Sequence, residues 1–156
     1  LACEVAAYAK QQGSSFYEEL LAIYMEHKFY KEHLISITKK GMDGAAEIQK
    51  MLSDMRNNPL TEIDGEKIKS LSDYQASTRK NLITGNVTKI DLPKSNVLIY
   101  QTESGTRIAA RPSGTEPKIK FYFSVNASLD HAKDADRIET ELDAKIQRII
   151  KEMNLN

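Results

Sequence analysis

The strongest structural signal in the sequence is a strict alternation of side chains over residues 118–125, KIKFYFSV. The apolar positions of this run are Ile119, Phe121, Phe123 and Val125. Because successive side chains of a β-strand point to opposite faces of a sheet, the alternation predicts a strand with one buried face. A buried sheet face needs a covering layer, so the rest of the chain has to supply helices with an apolar stripe.

Two segments have the helical spacing of apolar residues that such a layer requires. In the first segment the apolar positions are Ala45, Ile48, Leu52 and Met55, and the pattern ends at Asn57, Asn58 and Pro59. The second segment, residues 130–153, has a longer stripe made of Ala135, Ile138, Leu142, Ile146, Ile149 and Met153. We therefore predict two helices that pack on one face of the sheet.

Shorter patterns predict the remaining strands. NVLIYQT at 96–102 and TRIAAR at 106–111 are joined by ESG, which is typical of a hairpin. Ile35 and Ile37 alternate with polar residues and indicate a short strand, while residues 66–74 indicate a weaker one. The polar stretch 75–93 is interpreted as a long loop with room for short ordered pieces. Together these patterns predict an α+β fold with an antiparallel sheet of about four strands and two helices on one face.

The N-terminal residues differ from the rest because they contain two helical patterns and no strand pattern. Residues 2–12 are alanine-rich and end at Gly13, a residue typical of helix C-termini. Ser15, followed three positions later by Glu18, matches a capping box and predicts the start of a second helix. The first helix begins without a cap and without an initiator methionine, which favours a chain cut from a longer protein.

Charge and cysteine content argue against several classes of function. The 22 basic and 22 acidic residues balance, which argues against a general binder of nucleic acid or of membrane surfaces. No apolar run is long enough to cross a membrane, and no segment resembles a signal peptide. A single cysteine, Cys3, cannot form an internal disulfide, which favours a reducing cytoplasm. The three histidines lack the spacing of metal ligands, so the sequence predicts no metal site.

The string RPSGTEP, directly before the predicted central strand, concentrates donors suited to an anion. Arg111 can donate two parallel hydrogen bonds to a phosphate, and Ser113 and Thr115 add hydroxyl groups. Gly114 allows close approach of the backbone and its N–H groups, and Lys118 can supply a second cation. Pro, Gly, Ser and Thr are equally typical of a rigid turn between two strands. Composition alone leaves both interpretations open.

RPSGTEPKIKFYFSV, together with SITKKGMDGAAEIQKM upstream, resembles the C-terminal domain of the phosphohexomutases, the phosphoglucomutase/phosphomannomutase family. The resemblance covers essentially the whole chain. It implies that residues 34–156 form the fourth domain, that residues 1–30 are the last helices of the third domain, and that residues 31–35 are the hinge. It also implies that the substrate's non-reacting phosphate is bound by Arg111, Ser113, Gly114 and Thr115, with Lys118 as an additional cation.

The same resemblance implies an intramolecular phosphotransferase that interconverts hexose 1-phosphate and hexose 6-phosphate through a bisphosphorylated sugar. The family's phosphoserine loop, magnesium loop and sugar-binding loop have no counterpart in these residues. Magnesium is therefore expected only in the full-length enzyme, and this chain alone is not expected to turn over substrate. The expected partners are a phosphosugar and the N-terminal domains of the same protein, with no nucleic acid and no membrane. Two alternatives stay open, a phosphopentomutase-type member and a stand-alone, non-catalytic module that binds phosphorylated ligands.

Overall fold

A computed structural model, which describes residues 1–41 and 43–155, contains one antiparallel sheet and four α-helices. The helices are α1 (Ala2–Gln11), α2 (Phe16–His27), α3 (Gly44–Asn57) and α4 (Ala135–Glu152). The strands are β1 (Phe29–Thr38), β2 (Glu62–Ile63), β3 (Glu66–Asp73), β4 (Thr78–Asn81), β5 (Val87–Lys89), β6 (Leu98–Thr102), β7 (Arg107–Pro112) and β8 (Lys118–Ala127). Their order across the sheet is β1-β8-β7-β6-β3-β4-β5, and β2 pairs with β3. The predicted α+β fold class is confirmed.

The core lies between one face of the sheet and the helices α3 and α4. The four apolar residues of the alternating run in β8 are completely buried, as that pattern predicts. Ile48 and Leu52 of α3 are buried, as are the residues of the stripe in α4, Ala135, Ile138, Leu142, Ile146 and Ile149. These residues belong to one hydrophobic cluster, so both predicted helices cover the sheet face that β8 presents.

The opposite face of the sheet, here called the open face, carries the side chains that point away from α3 and α4. Residues directly opposite each other in neighbouring strands point to the same side of a sheet. The register aligns Tyr122 of β8 with Ala109, Ala109 with Ile99 of β6, and Ile99 with Ser72 of β3. Since Phe121 and Phe123 point into the core, this row lies on the open face.

The sheet is wider than predicted, with eight strands in place of about four. The extra strands β4 and β5 form a hairpin inside residues 75–93, which the sequence indicates only as a polar loop. All three residues of β5 are exposed, so no alternation of apolar and polar side chains marks that strand. Sequence periodicity reports burial on one face, and this hairpin has little of it.

Strand β1 also begins earlier than predicted. It runs without interruption from Phe29, and each residue to Thr38 pairs with β8. Lys31 points toward α4 and forms ion pairs with Glu139 and Asp143, so a polar residue stands where the alternation requires an apolar one. The predicted hinge, residues 31–35, falls inside this ladder.

The helical pair α1–α2 joins the sheet through one unusual residue, Lys28. Its φ of 77° lies in the left-handed region, which is rare for a residue with a side chain. Its Nζ donates hydrogen bonds to the Ser104 carbonyl at 3.3 Å and to Asn126 Oδ1 at 3.2 Å. The backbone therefore turns at Lys28, and the assignment of residues 31–35 as a hinge stays a prediction. The assignment of residues 1–30 to a preceding domain stays a prediction.

The predicted cap of α2 is confirmed in detail. The Ser15 hydroxyl accepts a hydrogen bond from the Glu18 amide at 3.2 Å, and the Glu18 carboxylate accepts one from the Ser15 amide at 2.7 Å. These bonds lower the pKa of Glu18, with the Ser15 contacts as the main cause. Only Ala9 of α1 and Leu21 of α2 are buried, so most of the apolar surface of this pair faces solvent.

Candidate phosphate-binding site

The RPSGTEP segment forms a narrow loop at the end of the β7–β8 hairpin. The two strands pair as far as Pro112 and Ile119, and the Ser113 amide extends the ladder by donating to the Lys118 carbonyl at 2.7 Å. The Pro117 carbonyl accepts a hydrogen bond from the Lys39 amide at 2.9 Å, which ties the loop to the end of β1. The loop is thus held at both ends by backbone hydrogen bonds.

Ser113 organises the tip of this loop. Its Oγ accepts hydrogen bonds from the Thr115 amide at 3.4 Å and from the Glu116 amide at 3.3 Å. Among the described residues this hydroxyl donates to no acceptor, so its proton is available for a phosphate oxygen. Within residues 1–41 and 43–155, the Gly114 amide has no hydrogen-bond acceptor. The turn interpretation and the binding interpretation therefore describe the same loop, because the side chain that orders it can also donate.

A cavity of about 240 Å³ opens beside the loop on the open face. It is lined by Arg111, Pro112, Ser113, Gly114, Glu116, Lys118, Lys120 and Tyr122. Four of the five predicted site residues line this cavity. The fifth, Thr115, is an exposed loop residue outside the lining.

Lys120 is a lining residue that the sequence interpretation missed. It lies directly opposite Arg111 in the β7–β8 register, so the two cationic side chains leave the same face of the sheet as neighbours. The signal was present, because the alternation that buries Ile119 and Phe121 places Lys120 on the opposite side. What the sequence lacked was the register that pairs it with Arg111.

The cavity therefore has three cations, Arg111, Lys118 and Lys120, and one carboxylate, Glu116. In the described part of the chain none of the three cations has a carboxylate within ion-pair distance. Unpaired cations that converge with a hydroxyl and a free amide suit a dianion such as phosphate.

Metal-ligating side chains do not converge anywhere in the described part of the chain. No group of three His, Cys, Asp or Glu side chains in residues 1–41 and 43–155 is placed to share a metal ion. Among the described helices, none has both the length and the apolar character that crossing a bilayer requires.

Similarity to known proteins agrees with this geometry. Residues 43–145 match the family described as phosphoglucomutase/phosphomannomutase, C-terminal domain. A phosphoglucomutase of Staphylococcus aureus strain MRSA252 is 36% identical over 146 residues, which are 94% of this chain and 25% of that protein. A phosphoglucomutase of Staphylococcus saprophyticus is 36% identical over 115 residues, or 74% of this chain and 21% of that protein.

A solved structure has a similar fold at low sequence identity. It is the open form of pp63/parafusin from Paramecium, described as an exocytosis-sensitive phosphoprotein and a phosphoglucomutase. The TM-score is 0.50 at 14% identity, covering 94% of this chain and 25% of the other. The chain thus spans about a quarter of the length of these relatives.

Proposed function

Because this chain belongs to the phosphoglucomutase/phosphomannomutase family and matches its C-terminal domain, we propose that it binds the phosphate group of a sugar phosphate. The observation that carries the proposal is the pair Arg111 and Lys120, which lie opposite each other in register and form no ion pair with any carboxylate of the described residues. Ser113, Gly114 and Lys118 complete the cavity, and the exposed loop residue Thr115 is proposed to add a hydroxyl.

The chemistry of this cavity favours recognition of phosphate over recognition of a sugar. Its donors are charged groups, a hydroxyl and an amide, and each of them suits a phosphate oxygen. A mutase that moves a phosphoryl group between two positions of a hexose presents either phosphate to the same site. A cavity that recognises the phosphate and few other groups can bind the sugar phosphate in either orientation. Closure of this domain over the substrate would shield the phosphoryl transfer from water.

We assign the mutase activity to the full-length protein rather than to this chain alone. As proposed, the full-length enzyme is an intramolecular phosphotransferase in the cytoplasm, which interconverts hexose 1-phosphate and hexose 6-phosphate. Magnesium and the phosphoserine belong to other domains, so the isolated chain shows no turnover. Residues 1–30 would pack against the preceding domain, and residues 34–156 would supply the phosphate site. A phosphopentomutase-type member of the family and a stand-alone binding module are the alternatives.

The test is the replacement Arg111→Ala in the full-length protein. Charged hydrogen bonds contribute about 1.5–3 kcal/mol, which corresponds to a roughly 10- to 150-fold loss in kcat/KM. Arg111→Lys is expected to restore part of the loss, because an ammonium cannot make the two-pronged contact. The phosphorylation level of the enzyme's phosphoserine should stay normal, since we assign that serine to another domain of the full-length protein.

Arg107→Ala is the matched control. Arg107 lies on the same strand and the same face as Arg111 and is exposed, but it does not line the cavity. We expect Arg107→Ala to stay within twofold of wild type. A folded Arg111→Ala protein with kcat/KM within twofold of wild type would show that the segment is only a turn.

A further inference from the structure

A second cavity lies on the open face at the other end of the sheet, between β3, β4, β5 and β6. Its volume is about 410 Å³, within the usual range for small-molecule sites. Two cations, Lys69 and Arg79, line it. The neutral polar groups that line it with them include Ser70, Asn86, Thr88 and Gln101. Among the residues that the structure describes, no carboxylate and no large apolar side chain is part of the lining.

The register places this cavity on the same face as the phosphate loop but well away from it. Tyr122, beside the loop, belongs to the row that continues through Ile99 and Ser72 to Arg79 of β4. Four strand spacings of about 4.8 Å separate Tyr122 from Arg79, or roughly 19 Å. This distance exceeds the length of one phosphorylated hexose, so the two cavities would hold separate molecules.

Arg79 is held ready for an anion. Its Nε donates to the Ser72 hydroxyl at 3.0 Å, and Ser72 is only 4% exposed, so the base of the guanidinium is fixed against the sheet. In the described part of the chain, neither Arg79 nor Lys69 forms an ion pair, although lysines and arginines on the helical side do. The terminal nitrogens of Arg79 remain free to bind two oxygens of a phosphate or carboxylate.

The β4–β5 turn holds the other wall of the cavity in place. Asn81 Oδ1 accepts hydrogen bonds from the amides of Ile83 at 2.9 Å and Thr84 at 3.0 Å. The Gly85 amide donates to the Asn81 carbonyl at 2.9 Å, and Gly85 has the positive φ of 77° that such a turn requires. Asn86 and Thr88 follow directly, so their side chains project from a fixed hairpin.

From this arrangement we propose that the cavity is a second anion site, which binds a small phosphorylated polyol such as a sugar phosphate. Lys69 and Arg79 bind the phosphate, and the amides of Asn86 and Gln101 with the Ser70 and Thr88 hydroxyls bind hydroxyl groups of the polyol. The site is separate from the RPSGTEP loop, and it does not depend on the function proposed for that loop.

The test is an amide NMR titration of the ¹⁵N-labelled 156-residue chain with glucose 6-phosphate, inorganic phosphate and glucose. We expect saturable shifts at residues 69–70 and 79–88 with glucose 6-phosphate, weaker ones with phosphate, and none with glucose or with sodium chloride at equal ionic strength. Arg79→Gln should weaken binding there at least tenfold and leave the shifts at the loop unchanged. Lys69→Gln should reproduce this effect, and it replaces Arg79→Gln if that variant loses its native spectrum.

Two controls separate this site from the phosphate loop. Arg111→Gln should abolish the loop shifts only, and Lys151→Gln, which replaces an exposed lysine at the end of α4, should change neither set. Shifts confined to the loop, or shifts at residues 79–88 that persist unchanged in Arg79→Gln and Lys69→Gln, would overturn the proposal. If shifts appear at residues 79–88 but not at the RPSGTEP loop, the function proposed for the loop would be wrong and the second site would remain supported.

Discussion

The ion pair between Lys145 and Glu66 links α4 to β3, and its burial makes it a sharp test of the fold's electrostatics. Lys145 Nζ donates to Glu66 Oε1 at 2.5 Å, and the Ser104 hydroxyl donates to the other carboxylate oxygen. The side chains are 13% and 27% exposed. The pair Lys50–Asp54 on α3 is similar in length, 2.7 Å, but 77% and 57% exposed. The two pairs therefore differ mainly in their access to water.

We predict that Lys145→Met lowers the free energy of unfolding by about 2 kcal/mol, because it leaves a carboxylate partly buried beside fewer donors. For a chain of this size that corresponds to a fall in Tm of roughly 4–8 °C. Lys50→Met should change the free energy of unfolding by no more than about 0.5 kcal/mol, since exposed pairs contribute little. Urea unfolding at neutral pH, with equal slopes for the three proteins, measures both values.

The effect of Lys145→Met should also depend on pH. Burial raises the pKa of Glu66, but hydrogen bonds from Lys145, Ser104 and Thr102 outweigh it, so the pKa of Glu66 lies below its ordinary value of 4.5. A carboxyl whose pKa is lowered by folding stabilises the fold above its unfolded pKa, and that contribution disappears as the pH falls through the folded pKa. The gap in stability between wild type and Lys145→Met should therefore narrow below about pH 4.5. Equal losses for Lys145→Met and Lys50→Met at neutral pH would refute the argument from burial.

Three further predictions concern other parts of the chain. Tyr100→Phe removes a 2.7 Å hydrogen bond to the Met55 carbonyl and should cost about 1 kcal/mol in urea unfolding. Burial raises the pKa of Tyr100 to about 12, so a pH titration of tyrosinate absorbance should lose the group that ionises near pH 12 in that variant. In the wild type, the stability that the Tyr100 hydroxyl confers should fall as the pH rises from 10 toward 12. Glu116→Gln removes a carboxylate from the lining of the phosphate cavity, and the affinity for inorganic phosphate should rise roughly two- to fivefold in the NMR titration. Hydrogen exchange should find the amides of α1 and α2 less protected than those of β8, and equal protection in a proven monomer would contradict this.

The elements that the sequence predicts well are those whose side chains are sorted by burial. In β8, core residues alternate with surface residues, and in α4 an apolar stripe faces the sheet. Both patterns can therefore be recognised from the sequence alone. The hairpin β4–β5 was missed because exposed strands have no such sorting. The predicted strand β1 was too short because the polar residue Lys31 points toward the core side of the sheet. That position depends on its ion pair with Glu139, more than a hundred residues away.

The candidate site was predicted where it is contiguous in sequence and missed where it is not. Arg111, Ser113 and Gly114 stand within four positions, so the sequence alone shows their donors together, and it leaves an anion site and a rigid turn both open. Lys120 joins them only through the pairing of β7 with β8. The second cavity depends still more on pairing, because Arg79 and Gln101 meet across two strand interfaces, and a register shift between Ile68 and Ser70 falls at the wall that holds Lys69.

The pairing of β1 with β8 has a consequence for how this chain is made. The ten residue pairs of that ladder join positions 80 to 98 residues apart, from Thr38↔Lys118 to Phe29↔Ala127. At a synthesis rate of about 5–20 residues per second, β1 waits roughly 4–20 s on the ribosome for its partner strand β8. During that interval its apolar residues and both of its backbone edges are open to chaperones and to other nascent chains. Closure of the sheet is therefore a late, non-local step, and it cannot finish before residue 127 has left the exit tunnel.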